Sequence, residues 1–179
     1  MCNHLFVVTG GPGGGKTTLI DALAGLGLRS MPEVGRAIIR DQVRIGGEAL
    51  PWKNRAAFAE LMLGWETRSH HEASGLPGPV LMDRGLPDVI GYLTLSGLPV
   101  PVHAREAARV FRYNPLVFIA PFWDGIFTRD KERRQDAAEA QATCAVMADV
   151  YSRLGYRLVR LPLASVEERA AFVMDRIGA

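Results

Sequence analysis

The sequence predicts an α/β fold in three layers, a five-stranded parallel sheet with helices on both faces. Two observations carry this. Short apolar runs alternate along the chain with longer stretches whose apolar residues recur every three or four positions, the pattern of a sheet buried on both sides. In addition, a glycine-rich turn joins the first apolar run directly to the first helix-like stretch.

In chain order, Leu5 to Thr9, Leu28 to Pro32, Val80 to Asp83, Leu116 to Ala120 and Arg157 to Leu161 read as strands. Each is short, rich in Val, Leu, Ile or Phe, and mostly bounded by Gly or Pro. Leu19, Ile20 and Leu23 mark a first helix, Phe58, Leu61, Met62 and Trp65 a central one, and Val89, Ile90 and Leu93 another after the third strand. Met147, Val150, Tyr151 and Leu154 repeat that spacing, as do Val166, Ala170, Val173 and Ile177 in the last helix. Residues 46–54, with Gly46-Gly47 and Pro51, read as a loop positioned to close over a ligand. Residues 121–134 form a second irregular segment, and it is basic. There is no internal repeat.

At 179 residues, with 48% hydrophobic and 22% charged residues, the chain reads as one domain spanning 1–179 that folds around its own core, without metals or disulfides. Cys2 and Cys144 are far apart and form no Cys-x-x-Cys pair, so a reducing, cytoplasmic setting is expected. The start of the chain lacks the basic residues and apolar stretch of a signal peptide, and no run approaches the roughly 20 apolar residues that span a bilayer. The formal charge of +2 is small and the basic residues are scattered, which argues against nucleic acid and membrane partners. A monomer or homodimer is expected.

Gly10-Gly11-Pro12-Gly13-Gly14-Gly15-Lys16-Thr17 fits the phosphate-binding loop pattern G-x-x-x-x-G-K-[ST] in the strand-loop-helix context that the pattern requires. A loop wrapped closely around an anion has no room for side chains, so glycines dominate and backbone N–H groups turn inward. The helix that starts there adds unsatisfied N–H groups and a partial positive charge. Gly11, Gly13, Gly14, Gly15, Lys16, Thr17 and Thr18 are thus the expected nucleotide-contacting residues, with Lys16 reaching the β- and γ-phosphates and Thr17 offering its hydroxyl to Mg2+. No Asn-Lys-x-Asp guanine-selecting motif is present, so the expected nucleotide is ATP.

In an open parallel sheet the ligand lies beyond the C-terminal ends of the strands. Three places there carry charge. Asp83 closes the third strand, where a carboxylate holds either a magnesium-bound water or a turn, and Arg84 beside it is a phosphate-pairing guanidinium. Glu33 follows the second strand and reads either as a group that accepts the proton of an attacking hydroxyl or positions an attacking water, or as a helix N-terminal carboxylate paired with Arg36. Arg129, Lys131, Arg133 and Arg134 form either a lid that brings an arginine to the transferring group or a solvated face paired with Asp130 and Glu132. His70 and His71 are adjacent and lack the i, i+4 spacing of helical metal ligands. Trp52, Trp65 and Trp123 read as packing residues, and Cys144 as a small hydrophobe.

Taken in chain order, several groups of residues together resemble one family. They are Gly10 to Thr18, Pro32-Glu33-Val34-Gly35-Arg36, Asp83-Arg84-Gly85, Arg112-Tyr113-Asn114-Pro115, Asp130-x-Glu132-Arg133, Leu154-Gly155-Tyr156, Leu161-Pro162 and Ser165 to Arg169. The family is that of small AAA-type ATPase domains related to the ribosylnicotinamide kinase domain of NadR. The resemblance covers nearly the whole chain. It implies a P-loop NTPase of kinase-like strand order 2-3-1-4-5, with Asp83, Arg84 and Arg133 facing the reaction centre. The expected activity is Mg2+- and ATP-dependent phosphoryl transfer to a small, nucleoside-like hydroxyl-bearing metabolite. In that scheme Lys16, Thr17 and Asp83 manage the triphosphate, Glu33 aligns the acceptor, and Arg84, Arg129 and Arg133 stabilise charge. The alternative is a regulatory module whose ATP or GTP occupancy changes its affinity for a partner.

Overall fold

A computed structural model describes residues 3–123 and 137–178. The five strands are β1 (Leu5–Gly10), β2 (Arg29–Met31), β3 (Val80–Asp83), β4 (Leu116–Ala120) and β5 (Arg157–Arg160). They pair in parallel in the order β2-β3-β1-β4-β5, the order the family resemblance implies. Each lies within about two residues of its sequence-predicted position.

The alternation of side chains along the strands sorts them between two helical layers. Phe6 and Val8 face a layer made by α1 (Lys16–Gly25) and α7 (Val166–Ile177), packing with Leu19, Leu23, Ala170 and Val173. Leu5 and Val7 face the opposite layer. There they meet Ala73 of α3 (Arg55–Ser74), Leu86 of α4 (Leu86–Leu95), Ala108 of α5 (Val102–Val110) and Tyr151 of α6 (Ala137–Arg153). Val34 and Ile38 of α2 (Val34–Ile45) join Phe58, Met62, Val89 and Leu93 in a third cluster beside the sheet. Because both faces of the sheet are covered, β1, β3 and β4 are buried along their whole length.

Two features depart from the sequence reading. The helix α5 was not foreseen because its buried residues are Ala104 and Ala108, too small to stand out as an apolar stripe. In α3 the buried face runs Phe58, Met62, Glu66, His70 and Ala73, so the stripe continues at four-residue spacing through two polar residues. Trp65 lies off that face and is 40% exposed, and Trp52 is 62% exposed, which corrects the reading of both as packing residues. His70 is a satisfied core residue: its Nε2 lies 3.1 Å from the Arg112 carbonyl and its ring meets Tyr113 edge-on.

Residues 46–54 form a loop, as expected, anchored by the Gln42 side chain, which accepts from the Ala49 N–H at 3.1 Å, and by buried Leu50. Among the described residues, no helix is long and apolar enough to cross a membrane. The register places Val8 beside Asp83 and Gly10 beside Ala120, so the ends of β1, β3 and β4 open onto the start of α1.

Candidate functional site

The glycine-rich loop turns between β1 and α1 as a strand-loop-helix unit. Gly10, Gly13 and Gly15 hold φ of 127°, 75° and 69°, a region side chains rarely occupy. Close packing fixes the loop from outside: a Cβ on Gly11 would strike the Ala140 carbonyl of α6, and one on Gly14 would lie 2.9 Å from the Ala120 Cβ.

The outward carbonyls of the loop are taken by cations. The Lys16 ammonium donates to Gly11 O at 2.8 Å and to Gly10 O at 3.2 Å. Arg84 donates to Gly10 O at 3.2 Å, and Arg169 donates to Gly14 O at 2.8 Å. Burial, reinforced by the positive charge of Arg84, pulls the Lys16 pKa down to about 8 against the opposing pull of Asp83, Glu33 and Asp88. Thr17 and Thr18 are exposed at the start of α1.

The end of β3 supplies the second half of the site. Asp83 is buried, and its Oδ1 has no hydrogen-bond partner among the described residues. Burial raises its pKa to about 6, with Glu33 and Asp88 adding to the rise while Arg84 and Lys16 oppose it. The next residue, Arg84, is the one non-glycine with positive φ among the described residues, at 78°. Its guanidinium donates to Glu33 Oε1 at 3.1 Å and to Asp88 Oδ1 at 3.0 Å. Glu33 lies just before α2 and also pairs with Arg36 at 3.3 Å. Burial alone would raise the Glu33 pKa, but Arg84, Lys16 and Arg36 together hold the carboxyl below its usual range. Glu33 stands at the N-cap position of α2 without a side-chain cap hydrogen bond, and its carboxylate is shared between Arg36 and Arg84.

Asp88 is the residue the sequence reading missed. It is buried in the first turn of α4, and its two carboxylate oxygens take four hydrogen bonds. Oδ1 accepts from Thr9 Oγ1 at 2.6 Å and from Arg84, and Oδ2 accepts from Tyr151 OH at 2.7 Å and from the Gly85 N–H at 3.1 Å. Strand β1, the β3 end, α4 and α6 thus meet on one carboxylate that orients Arg84. A second missed residue is Glu66, 2% exposed, whose Oε1 has no partner among the described residues. Burial, then the charge of Asp88, pushes its carboxyl well above the ordinary range.

Gly11, Gly13, Gly14, Gly15, Lys16, Thr17, Glu33, Asp83 and Arg84 thus lie beyond the C-terminal ends of β1, β2 and β3. Arg129 and Arg133, with the lid-like segment after Trp123, lie outside the described residues. For Mg2+, which the fold implies, the donor set fits: the buried, unpartnered Asp83 Oδ1 and the exposed Thr17 hydroxyl are the hard oxygen ligands that ion takes beside phosphate.

The chain matches the family profile described as AAA domain over residues 5–169, and it belongs to that family. No curated protein sequence matches it. Among solved structures it is similar to NadR protein in complex with NR, with TM-score 0.71 and 15% identity over 99% of this chain and 51% of that one. The chain thus spans about half the length of that neighbour. It is also similar to deoxyadenosine kinase from M. mycoides, with TM-score 0.68 and 11% identity, covering 97% and 98% of the two chains. Shikimate kinase from Acinetobacter baumannii follows with TM-score 0.57 and 18% identity, covering 97% and 91%. At these identities the likeness establishes a shared P-loop kinase fold.

Proposed function

We propose that this member of the AAA domain family is a Mg2+- and ATP-dependent phosphotransferase whose acceptor is a small hydroxyl-bearing, nucleoside-like metabolite. The observation that carries the reading is Glu33. Its carboxylate is held ionised by Arg84 and Arg36, at the mouth of a loop built for polyphosphate. A carboxylate so placed can take the proton of an acceptor hydroxyl, or position the attacking water of a hydrolase. The neighbouring folds lend support: deoxyadenosine kinase and shikimate kinase are small-metabolite kinases, and NadR is seen with NR.

Phosphoryl transfer asks the protein mainly for alignment and for charge stabilisation. The loop amides and the α1 N-terminus hold the β- and γ-phosphates. Lys16 exchanges the Gly10 and Gly11 carbonyls for phosphate oxygens, and those carbonyls keep Arg84 as a donor at Gly10. Asp83 and Thr17 hold the cation, which when bound neutralises charge on the phosphate oxygens. Glu33 accepts the proton of the acceptor hydroxyl as the new O–P bond forms and the bond from the γ-phosphorus to the bridging oxygen breaks, releasing ADP. Arg84, with Arg129 and Arg133, stabilises the equatorial charge. The setting we assign is cytoplasmic, as a monomer or homodimer, with Cys144 a free thiol.

A panel of nucleosides and other small hydroxyl metabolites, assayed for ADP release with the pure protein and Mg·ATP, tests this. One acceptor is expected to speed ATP consumption far above the rate with water. Equal rates with every acceptor and with water would refute the phosphotransferase reading.

A further inference from the structure

The helix α7 packs with α1 on one face of the sheet, and nothing in the proposed chemistry uses it. Its first turn is fixed by a reciprocal cap: Ser165 Oγ accepts from the Glu168 N–H at 3.2 Å, and the Glu168 carboxylate accepts from the Ser165 N–H at 3.0 Å. Ala170 and Val173 then bury the helix against Leu19 and Leu23 of α1. Between cap and core sits Arg169, only 2% exposed and the largest of the fully buried side chains.

A buried guanidinium ordinarily sits against a carboxylate, because taking its charge out of water is costly. Arg169 has no ion pair among the described residues. Among the described residues its Nε is buried without a partner, and its Nη2 donates to the Gly14 carbonyl at 2.8 Å. That carbonyl belongs to the phosphate loop. In a trans peptide the C=O and the following N–H point in opposite directions, so drawing Gly14 O toward α7 turns the Gly15 N–H away from α7, toward the interior of the loop. Gly14 also packs closely on β4, since a Cβ added there would lie 2.9 Å from Ala120 Cβ and 3.0 Å from Pro121 O.

We propose that Arg169 is a positioning residue of the nucleotide site, holding the Gly14–Gly15 peptide with its amide turned to the phosphates and setting an uncompensated positive charge behind them. The proposal rests on the loop binding a nucleoside triphosphate, as argued above. A bound polyphosphate supplies, across one peptide unit, the negative charge that Arg169 lacks among the described residues.

Titration calorimetry of Mg·ATP on wild type, Arg169→Lys and Arg169→Met tests this, with thermal unfolding of each free protein run alongside. Arg169→Met is expected to stay folded and to bind Mg·ATP about tenfold or more weakly, the loss of one charged hydrogen bond, while Arg169→Lys recovers part of the affinity. A residue that only filled space would lower the unfolding temperature and leave the affinity of the folded protein alone. A folded Arg169→Met with wild-type affinity would overturn the proposal while leaving the loop's function intact. Wild type that binds no nucleotide would overturn both. Should Arg169→Met fail to fold, amide hydrogen exchange on wild type decides. Slower exchange in the first turns of α7 on adding Mg·ATP supports the proposal, and protection confined to the loop and α1 contradicts it.

Discussion

Glu66→Gln isolates the most unusual buried group in the protein. The Glu66 side chain is 2% exposed on the inner face of α3, its Oε1 is unpartnered, and Asp88, Asp83 and Glu33 all push against a charge there while Arg84 alone offsets them. Its folded carboxyl is therefore held well above the ordinary range, first by burial and then by Asp88. In the unfolded chain it ionises near a pKa of about 4.3. A raised folded pKa means that the stability contribution is intact below that unfolded value and is lost as pH rises from it toward the folded one. While the folded carboxyl stays protonated, each pH unit costs about 1.4 kcal/mol relative to a side chain of the same shape that does not titrate. Urea unfolding of both proteins at pH 5 and pH 7 reads this directly. The stability of Glu66→Gln relative to wild type is expected to improve by up to ~2.7 kcal/mol between the two pH values. A difference between the proteins that does not move with pH would refute the reasoning.

Further outcomes follow from the same geometry. Asp88→Ala strips the acceptor from Thr9, Arg84, Gly85 and Tyr151, and should cost about 3–5 kcal/mol in urea unfolding. Tyr151→Phe, which leaves the Gly85 N–H on the same oxygen, should cost only about 1 kcal/mol. Gly85→Ala has ordinary extended backbone but places a Cβ 2.9 Å from the Tyr113 ring, so thermal unfolding should show a loss of about 1–3 kcal/mol. Glu33→Gln should lower acceptor-dependent turnover about 100-fold or more with little change in ATP affinity. Because Arg84, Lys16 and Arg36 outweigh burial and keep Glu33 ionised, Glu33 should cause no loss of wild-type rate until the pH drops below the ordinary carboxylate range of about 4.3, whereas a fall near pH 6 belongs to Asp83, whose carboxyl burial raises to about 6.

The strands were legible because burial on both faces writes them as uninterrupted apolar runs, and the phosphate loop because its glycines, Lys16 and Thr17 stand between the first of those runs and a helix. Glu33 and the Asp83-Arg84 pair were legible by position, at strand ends where ligands gather. Asp88 was not, since an aspartate in the first turn of a helix is ordinary on dipole grounds. Its weight comes from Thr9 and Tyr151, 79 and 63 residues away in sequence. Glu66 and Arg169 fall on the buried stripes of α3 and α7, but a count of apolar residues sends charged ones to the surface. Extending the stripe Phe58, Met62 by four residues would have found Glu66; nothing local announces the contact of Arg169 with Gly14.

The central claim is that the glycine cradle and the ammonium of Lys16 hold a nucleoside triphosphate. Calorimetric titration of Mg·ATP into wild type and Lys16→Ala tests it. Wild type is expected to bind saturably with one site, and the variant, folded by circular dichroism, about ten- to a hundredfold more weakly for the loss of a charged contact to phosphate. Equal affinity in the two proteins, or no binding by wild type, would contradict the account.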